Sequence, residues 1–136
     1  SVHNADLQKM YAEVKANEQM WEEYKCEDAE YVITAFGTVA RIAKSAIDQL
    51  REEGIKVGLV RPISVWPFPY DAVKKAACAD GVKAVLDVEL NEGQMLEDVK
   101  LAINGAKPVD FFGHLGSEMP TTDEIVAKIK SMKEGM

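Results

Sequence analysis

The chain is poor in the residues from which compact active sites are usually built. It has two cysteines, Cys26 and Cys78, far apart and without a C-x-x-C pair. That argues against a zinc site or an iron–sulfur cluster inside the chain, since both need closely spaced thiolates. Such low usage fits free thiols in a reducing compartment. There are two histidines: His3 near a terminus expected to fray, and His114 between Gly113 and Leu115. For both, a structural role is the plainer reading, because a catalytic base needs a nucleophile or orienter in reach. No G-x-G-x-x-G, no G-x-x-x-x-G-K-[ST] and no G-x-S-x-G occurs, so the nucleotide and hydrolase fingerprints are missing. No run of about 18 apolar residues is present to span a bilayer. The first thirty residues are charged throughout, unlike a secretory signal, and a cytoplasmic protein is the expectation. The first residues are Ser1-Val2 rather than methionine; a trimmed chain and a fragment of something longer are both compatible with that.

Basic residues are also few: 16 Lys and Arg against 23 Asp and Glu, a net charge of −7. Nucleic acid and anionic membranes need a basic surface, so neither is an expected partner. The 136 residues, 47% of them apolar, suffice for one domain with a complete core.

What is present is a regular alternation. Leu7, Met10, Tyr11, Val14, Trp21 and Tyr24 fall at helical spacing and predict a helix over 5–25. It reads as packing on the domain that follows, or as a connecting arm that docks elsewhere. Residues 1–28 are therefore taken as a leading helix or arm, and 29–136 as the domain proper. Tyr31 to Ala35 predicts a strand covered on both faces. Phe36-Gly37-Thr38 makes a tight turn, with Thr38 as the expected N-cap. Val39 to Leu50 follow at helical spacing up to Gly54. Lys56 to Val60 is the next strand, giving a βαβ unit with parallel strands. In Arg61 to Pro69, three prolines exclude helix and oppose a central strand. There Trp66 and Phe68 either cover the sheet end or form an interface ridge. A helix over 70–79, a strand over 84–88, a turn over Glu89 to Gly93, a helix over 94–104, a strand over 109–112 and a last helix complete the chain. Thr121 and Glu124 have capping-box spacing before that last helix. The fold class is α/β: three α/β/α layers with a mostly parallel sheet of four to five strands.

The candidate crevice lies at the carboxyl ends of the strands. Gly37 and Thr38 offer helix N–H groups to an anion, though one glycine is a weak signal and plain strand–helix geometry competes. Arg41 and Arg61 could meet the turn at Glu89 to Gly93, either as a satisfied edge ion pair or as a charged crevice. Glu89 and Glu92 show no pocket or tuning that acid–base work would need. Cys78, near Lys74 and Lys75, reads as a buried inert thiol. From the residues alone this is a compact acidic binding or organising module without a complete active site.

Four segments in order carry a resemblance: F-G-T-V-A-R from Phe36, G-I-K-V-G-L-V-R-P-I-S-V-W-P-F-P from Gly54, E-L-N-E-G-Q-M from Glu89 and H-L-G-S-E-M-P-T-T-D-E-I from His114. Together they resemble the C-terminal, transketolase C-terminal-like domain of the α subunit of 2-oxoacid:ferredoxin oxidoreductases, nearest the 2-oxoisovalerate type. The motif matches are Gly37, Thr38, Arg41, Arg61, Pro62, Trp66, Pro67, Glu89, Asn91, Gly93, Gln94, Met95, Pro120 and Glu124. The resemblance assigns none of them as catalytic, cofactor-binding or metal-binding. Gly37, Thr38, Arg41, Arg61, Trp66, Glu89, Asn91 and Gln94 stand as candidate crevice or interface residues. The resemblance implies a whole enzyme that converts a 2-oxoacid to an acyl-coenzyme A with thiamine diphosphate, Mg²⁺, iron–sulfur clusters and coenzyme A, passing electrons to ferredoxin. It implies no cofactor in this domain, whose role is to brace other domains and subunits. Two alternatives stand: a small-ligand module taking coenzyme A or another anion near Gly37 and Glu89, and a stand-alone protein-interaction module.

Overall fold

A computed structural model describes residues 21–62, 70–89, 96–113 and 119–135. Among them five strands form one sheet: β1 (Trp21–Tyr24), β2 (Tyr31–Ala35), β3 (Val57–Pro62), β4 (Ala84–Glu89) and β5 (Val109–Gly113). Four helices accompany them: α1 (Thr38–Glu52), α2 (Tyr70–Ala77), α3 (Leu96–Ile103) and α4 (Thr122–Glu134). The strand order is β1-β3-β2-β4-β5. The four strands β2 to β5 run parallel, and β1 alone is antiparallel, on the β3 edge.

Strand alternation divides the core into two layers. Tyr31, Ile33, Leu59, Leu86 and Val88 point to one face and pack against α1 and α4. Val32, Val60 and Val85 point to the other and pack against α2 and α3. β2 and β4 are buried along their whole length, as expected for parallel strands covered on both sides. The predicted three-layer α/β/α architecture is the one observed.

The helix ends follow local rules. At the end of α1, Ile55 N–H donates to the Leu50 carbonyl and Gly54 N–H to that of Arg51, each at 3.0 Å, the two bonds of a Schellman motif. At α4, Thr121 Oγ1 accepts from Glu124 N–H at 3.1 Å while Glu124 Oε1 accepts from Thr121 N–H at 2.9 Å, so the expected capping box is formed.

Two expectations are corrected. Residues 21–24 are not the end of a helix; they are β1, paired from Trp21↔Pro62 to Tyr24↔Leu59. The rest of the expected leading helix lies outside the described residues. Thr38 is not the N-cap of α1. Gly37 takes that place, at φ 66°, and no side chain caps the helix. Thr38 is instead its first residue, and its hydroxyl faces the Met119 sulfur at 4.0 Å.

The topology positions the site. From β2 the chain crosses through α1 to β3 on one side, then returns through α2 to β4 on the other. The strand order therefore reverses between β2 and β4, and their carboxyl ends flank the switch point where α/β sheets collect ligands.

Candidate functional site

At that switch point the sheet carries a buried polar cluster inside an otherwise apolar layer. Thr34 and Asp87 are register partners on β2 and β4. Thr34 Oγ1 donates to Asp87 Oδ1 at 2.8 Å. Glu89 follows Asp87 by two residues, so both carboxyls leave the same face of β4, the face covered by α2 and α3. Thr34 and Asp87 are fully buried and Glu89 is 7% exposed. Burial above all, and then the hydrogen bond and charge of Glu89, push the Asp87 carboxyl up to about 9, with Thr34 acting weakly the other way. Two buried carboxyls on one face of a strand disfavour each other's ionisation, which adds to the effect of burial at Asp87.

A second charged cluster sits on the opposite face. Glu22 on β1 is 3% exposed. It accepts from Arg61 Nε and from Lys44 Nζ, each at 2.9 Å. Burial opposes its ionisation, but the two cations outweigh burial and hold its carboxyl below the ordinary 4.5. This corrects the expected meeting of Arg61 with Glu89. The sheet itself separates them: Arg61 faces α1, and Glu89 faces α2 and α3. Arg61 is a satisfied edge ion pair whose partner is Glu22. Arg41 is exposed on α1, the other side of the sheet from Glu89.

Gly37 has open space where a Cβ would stand, so its left-handed backbone, not crowding, explains the glycine. Trp66, Asn91, Gln94 and both histidines lie outside the described residues. Cys26 is a poor nucleophile: burial pushes its thiol up to about 12, and it donates to the Leu59 carbonyl at 3.1 Å. Cys78 is also free and packs on the α2/α3 layer. Among the described residues no group of three or more His, Cys, Asp or Glu side chains could hold a metal ion.

Sequence periodicity missed Thr34, Asp87, Glu22 and Lys44. One signal was available: Asp87 interrupts the apolar run Ala84-Val85-Leu86-Asp87-Val88, and a charge there needs a local reason. Glu22 gave none, since its partners lie 22 and 39 residues away.

The sequence model described as "Pyruvate:ferredoxin oxidoreductase core domain II" matches residues 29–125. The chain belongs to that family. Among similar members, a ketoisovalerate oxidoreductase subunit VorB from Methanothermobacter marburgensis is 42% identical over 129 residues, covering 95% of this chain and 36% of that protein. A 2-oxoglutarate synthase subunit KorA from the same organism is 32% identical over 107 residues, covering 79% and 28%. The core domain II chain thus spans about a third of the length of the first of these relatives. Among solved structures, 2-oxoglutarate:ferredoxin oxidoreductase from Magnetococcus marinus, with 2-oxoglutarate, coenzyme A and succinyl-CoA bound, matches at TM-score 0.67 and 22% identity, over 96% of this chain and 23% of that one. A split gene transketolase, an inactive β4 tetramer, matches at TM-score 0.65 and 21% identity, over 77% of this chain and 38% of that one. The two share the fold, which is the transketolase C-terminal-like arrangement that the motifs suggest.

Proposed function

We propose that this chain is the organising and interface domain of a thiamine-diphosphate-dependent 2-oxoacid:ferredoxin oxidoreductase, and that it is not the catalytic domain. The whole enzyme would decarboxylate a 2-oxoacid oxidatively to an acyl-coenzyme A and pass electrons to ferredoxin. Ketoisovalerate is the favoured substrate, because the VorB relative is 42% identical over 95% of this chain. The observation that carries the reading is family membership over residues 29–125.

The residues described do not fit the enzyme's cofactors. Thiamine diphosphate with Mg²⁺ needs oxygen ligands for the metal and donors for the diphosphate. At the switch point Asp87 is buried and accepts from Thr34 instead. An iron–sulfur cluster wants four thiolates, and the chain has two cysteines, both free thiols, one held strongly protonated.

The anion-binding alternative loses support on electrostatic grounds. The phosphates of coenzyme A seek cations, yet Glu89 ends β4 at the crevice, and Arg61 is paired with Glu22 on the other face. A stand-alone interaction module sits poorly with membership of an enzyme-domain family.

The test is calorimetry. This chain with Mg²⁺ and thiamine diphosphate is expected to give no binding heat, whereas the assembled oxidoreductase binds the cofactor. Micromolar binding by this chain alone would overturn the proposal. Co-expression with the remainder of the subunit and its partner subunits is expected to give a stable complex containing this chain, and recovery of the chain free of that complex counts equally against it.

A further inference from the structure

At the rim of the sheet, on the α1/α4 side, two exposed apolar side chains stand beside a cation that the domain itself does not answer. The exposed large apolar side chains among the described residues are Phe36, Tyr70, Leu101 and Met119. Tyr70 is tied to Asp98 through its hydroxyl at 2.6 Å, and Leu101 stands on α3 in the opposite layer. The other two come together. Phe36 leaves the carboxyl end of β2 at 41% exposure, and Met119 stands ahead of α4 at 37%. Thr38 links them: it follows Phe36 by two residues, and its hydroxyl faces Met119 Sδ at 4.0 Å.

Arg41 extends the same spot. Residues three apart share a helix face, so Arg41 stands one turn beyond Thr38 on α1, where it is exposed. The chain has three arginines. Arg51 pairs with Asp28 at 2.8 Å and Arg61 with Glu22 at 2.9 Å. Arg41 has no bonded partner among the described residues. Its helical neighbours cannot supply one: positions 37, 38, 44 and 45 hold Gly, Thr, Lys and Ser. The first turn of α1 carries no acid. In the first turn of α4, Glu124 is engaged in the capping box with Thr121, and Asp123 is exposed and forms no ion pair among the described residues. With 23 acidic residues against 16 basic ones, an arginine left without a carboxylate is the exception in this chain.

We propose that Phe36, Thr38, Arg41 and Met119 form the docking surface that holds this domain in the oxidoreductase. Its occupant is an apolar segment of another domain or subunit of the enzyme that carries an Asp or Glu for Arg41. This rests on the organising role proposed above and names its contact. Aromatic residues, Met and Arg are the types enriched at contact surfaces, and Arg is among those whose loss costs most there. Charge sets the kind of occupant: a carboxylate offers the guanidinium two parallel hydrogen bonds, and Phe36 and Met119 beside it keep water out. A second copy of this chain fits poorly, since two-fold pairing of the same patch brings the two Arg41 side chains toward each other and joins two chains of net charge −7. This chain matches 36% of the VorB relative, so most of that protein lies outside this domain and can supply such a segment.

The test uses the complex assembled by co-expression with the remainder of the enzyme. Arg41→Glu is expected to raise the dissociation constant of this chain from the complex at least about tenfold, with Arg41→Lys between it and the parent. Added salt weakens the parent complex and has less effect on Arg41→Glu. Leu101→Glu, which places a charge on the opposite layer, leaves the constant unchanged. Hydroxyl-radical footprinting of the parent needs no variant to fold: Phe36 and Met119 are expected to be labelled in the free chain and protected in the complex. Equal labelling in both, or an Arg41→Glu chain that assembles as tightly as the parent, overturns the docking surface and leaves the organising role standing. A parent chain that stays out of the complex overturns both. A dimer of the isolated chain that Arg41→Glu abolishes overturns the assigned occupant.

Discussion

At the scale of single residues, Gly58 has the tightest surroundings of the described glycines. A Cβ there would stand 2.8 Å from the Lys25 carbonyl oxygen, 2.9 Å from Cys26 Cα and 3.1 Å from Cys26 Sγ. Two of those three neighbours are backbone, held by the β1 ladder and by Arg51, whose Nη2 donates to the Lys25 carbonyl at 2.7 Å. They cannot rotate away as a flexible side chain would. Gly58→Ala is therefore expected to destabilise the domain by about 1–3 kcal/mol, the usual range for overpacking a close contact. Urea denaturation checks this, and an unchanged midpoint would show that the turn after β1 yields freely. A glycine inside a strand often marks such close backbone approach, and Lys56-Val57-Gly58-Leu59-Val60 carries that signal in its amino-acid order alone. What sequence could not supply was the approaching segment, which lies 32 residues earlier.

At the scale of elements, β1 is the informative case. Helical spacing of Trp21 and Tyr24 predicted helix, because residues three apart share a helix face. A four-residue strand is too short for alternation to compete with that signal. Tertiary partners decide the matter. Glu22 reaches Lys44 on α1 and Arg61 on β3, and Tyr24 donates to Asp48 at 2.7 Å. Lys25 pairs with the same Asp48 carboxylate at 2.9 Å. By contrast β2, β3, β4 and β5 were legible because each is a run of β-type residues bounded by turn residues, and the capping box at Thr121 is a purely local pattern. The candidate site was legible only as a location. The topology put ligand-facing ends at Gly37 and Glu89, but periodicity reads a buried Thr or Asp as one more strand residue. Since Glu22 joins β1 to two elements at once, Glu22→Gln is expected to loosen β1 selectively. Lys44 and Arg61 keep about a third of their side-chain surface in water, so the cost is about 1–2 kcal/mol rather than the 3–5 kcal/mol of breaking a fully buried pair. Hydrogen exchange should show faster amides in Trp21–Tyr24 with β2 and β4 unchanged. Uniform acceleration across the sheet would mean that β1 does not open as a separate unit.

At the scale of the whole molecule, the carboxylates fall into two opposed groups, and their balance sets where the fold is most stable. Among the described residues, four are held below their ordinary values. Burial opposes ionisation of Glu22, but Lys44 and Arg61 prevail; Arg51 lowers Asp28; Tyr24 and Lys25 outweigh burial at Asp48; Lys128 lowers Asp110. Each contributes stability that is present above the unfolded value, 3.8 for Asp and 4.5 for Glu, and is lost as pH falls through the folded value. Asp87 works the other way, removing stability steadily between 3.8 and about 9. Lys25, raised chiefly by its bond to Asp48, and Lys83, raised chiefly by Glu30, add a loss only above their ordinary 10.5. Self-repulsion adds to the fall on the alkaline side, because the net charge is already −7 at pH 7. The acidic group stops contributing to the slope just where Asp87 dominates it. Maximum stability is therefore expected at about pH 5, below neutrality, with a decline toward pH 9 that Asp87→Asn flattens. Denaturant midpoints measured from pH 3 to pH 11 test this. A maximum at pH 7 to 8 would mean that Asp87 is ionised in the native fold and that a cation answers it.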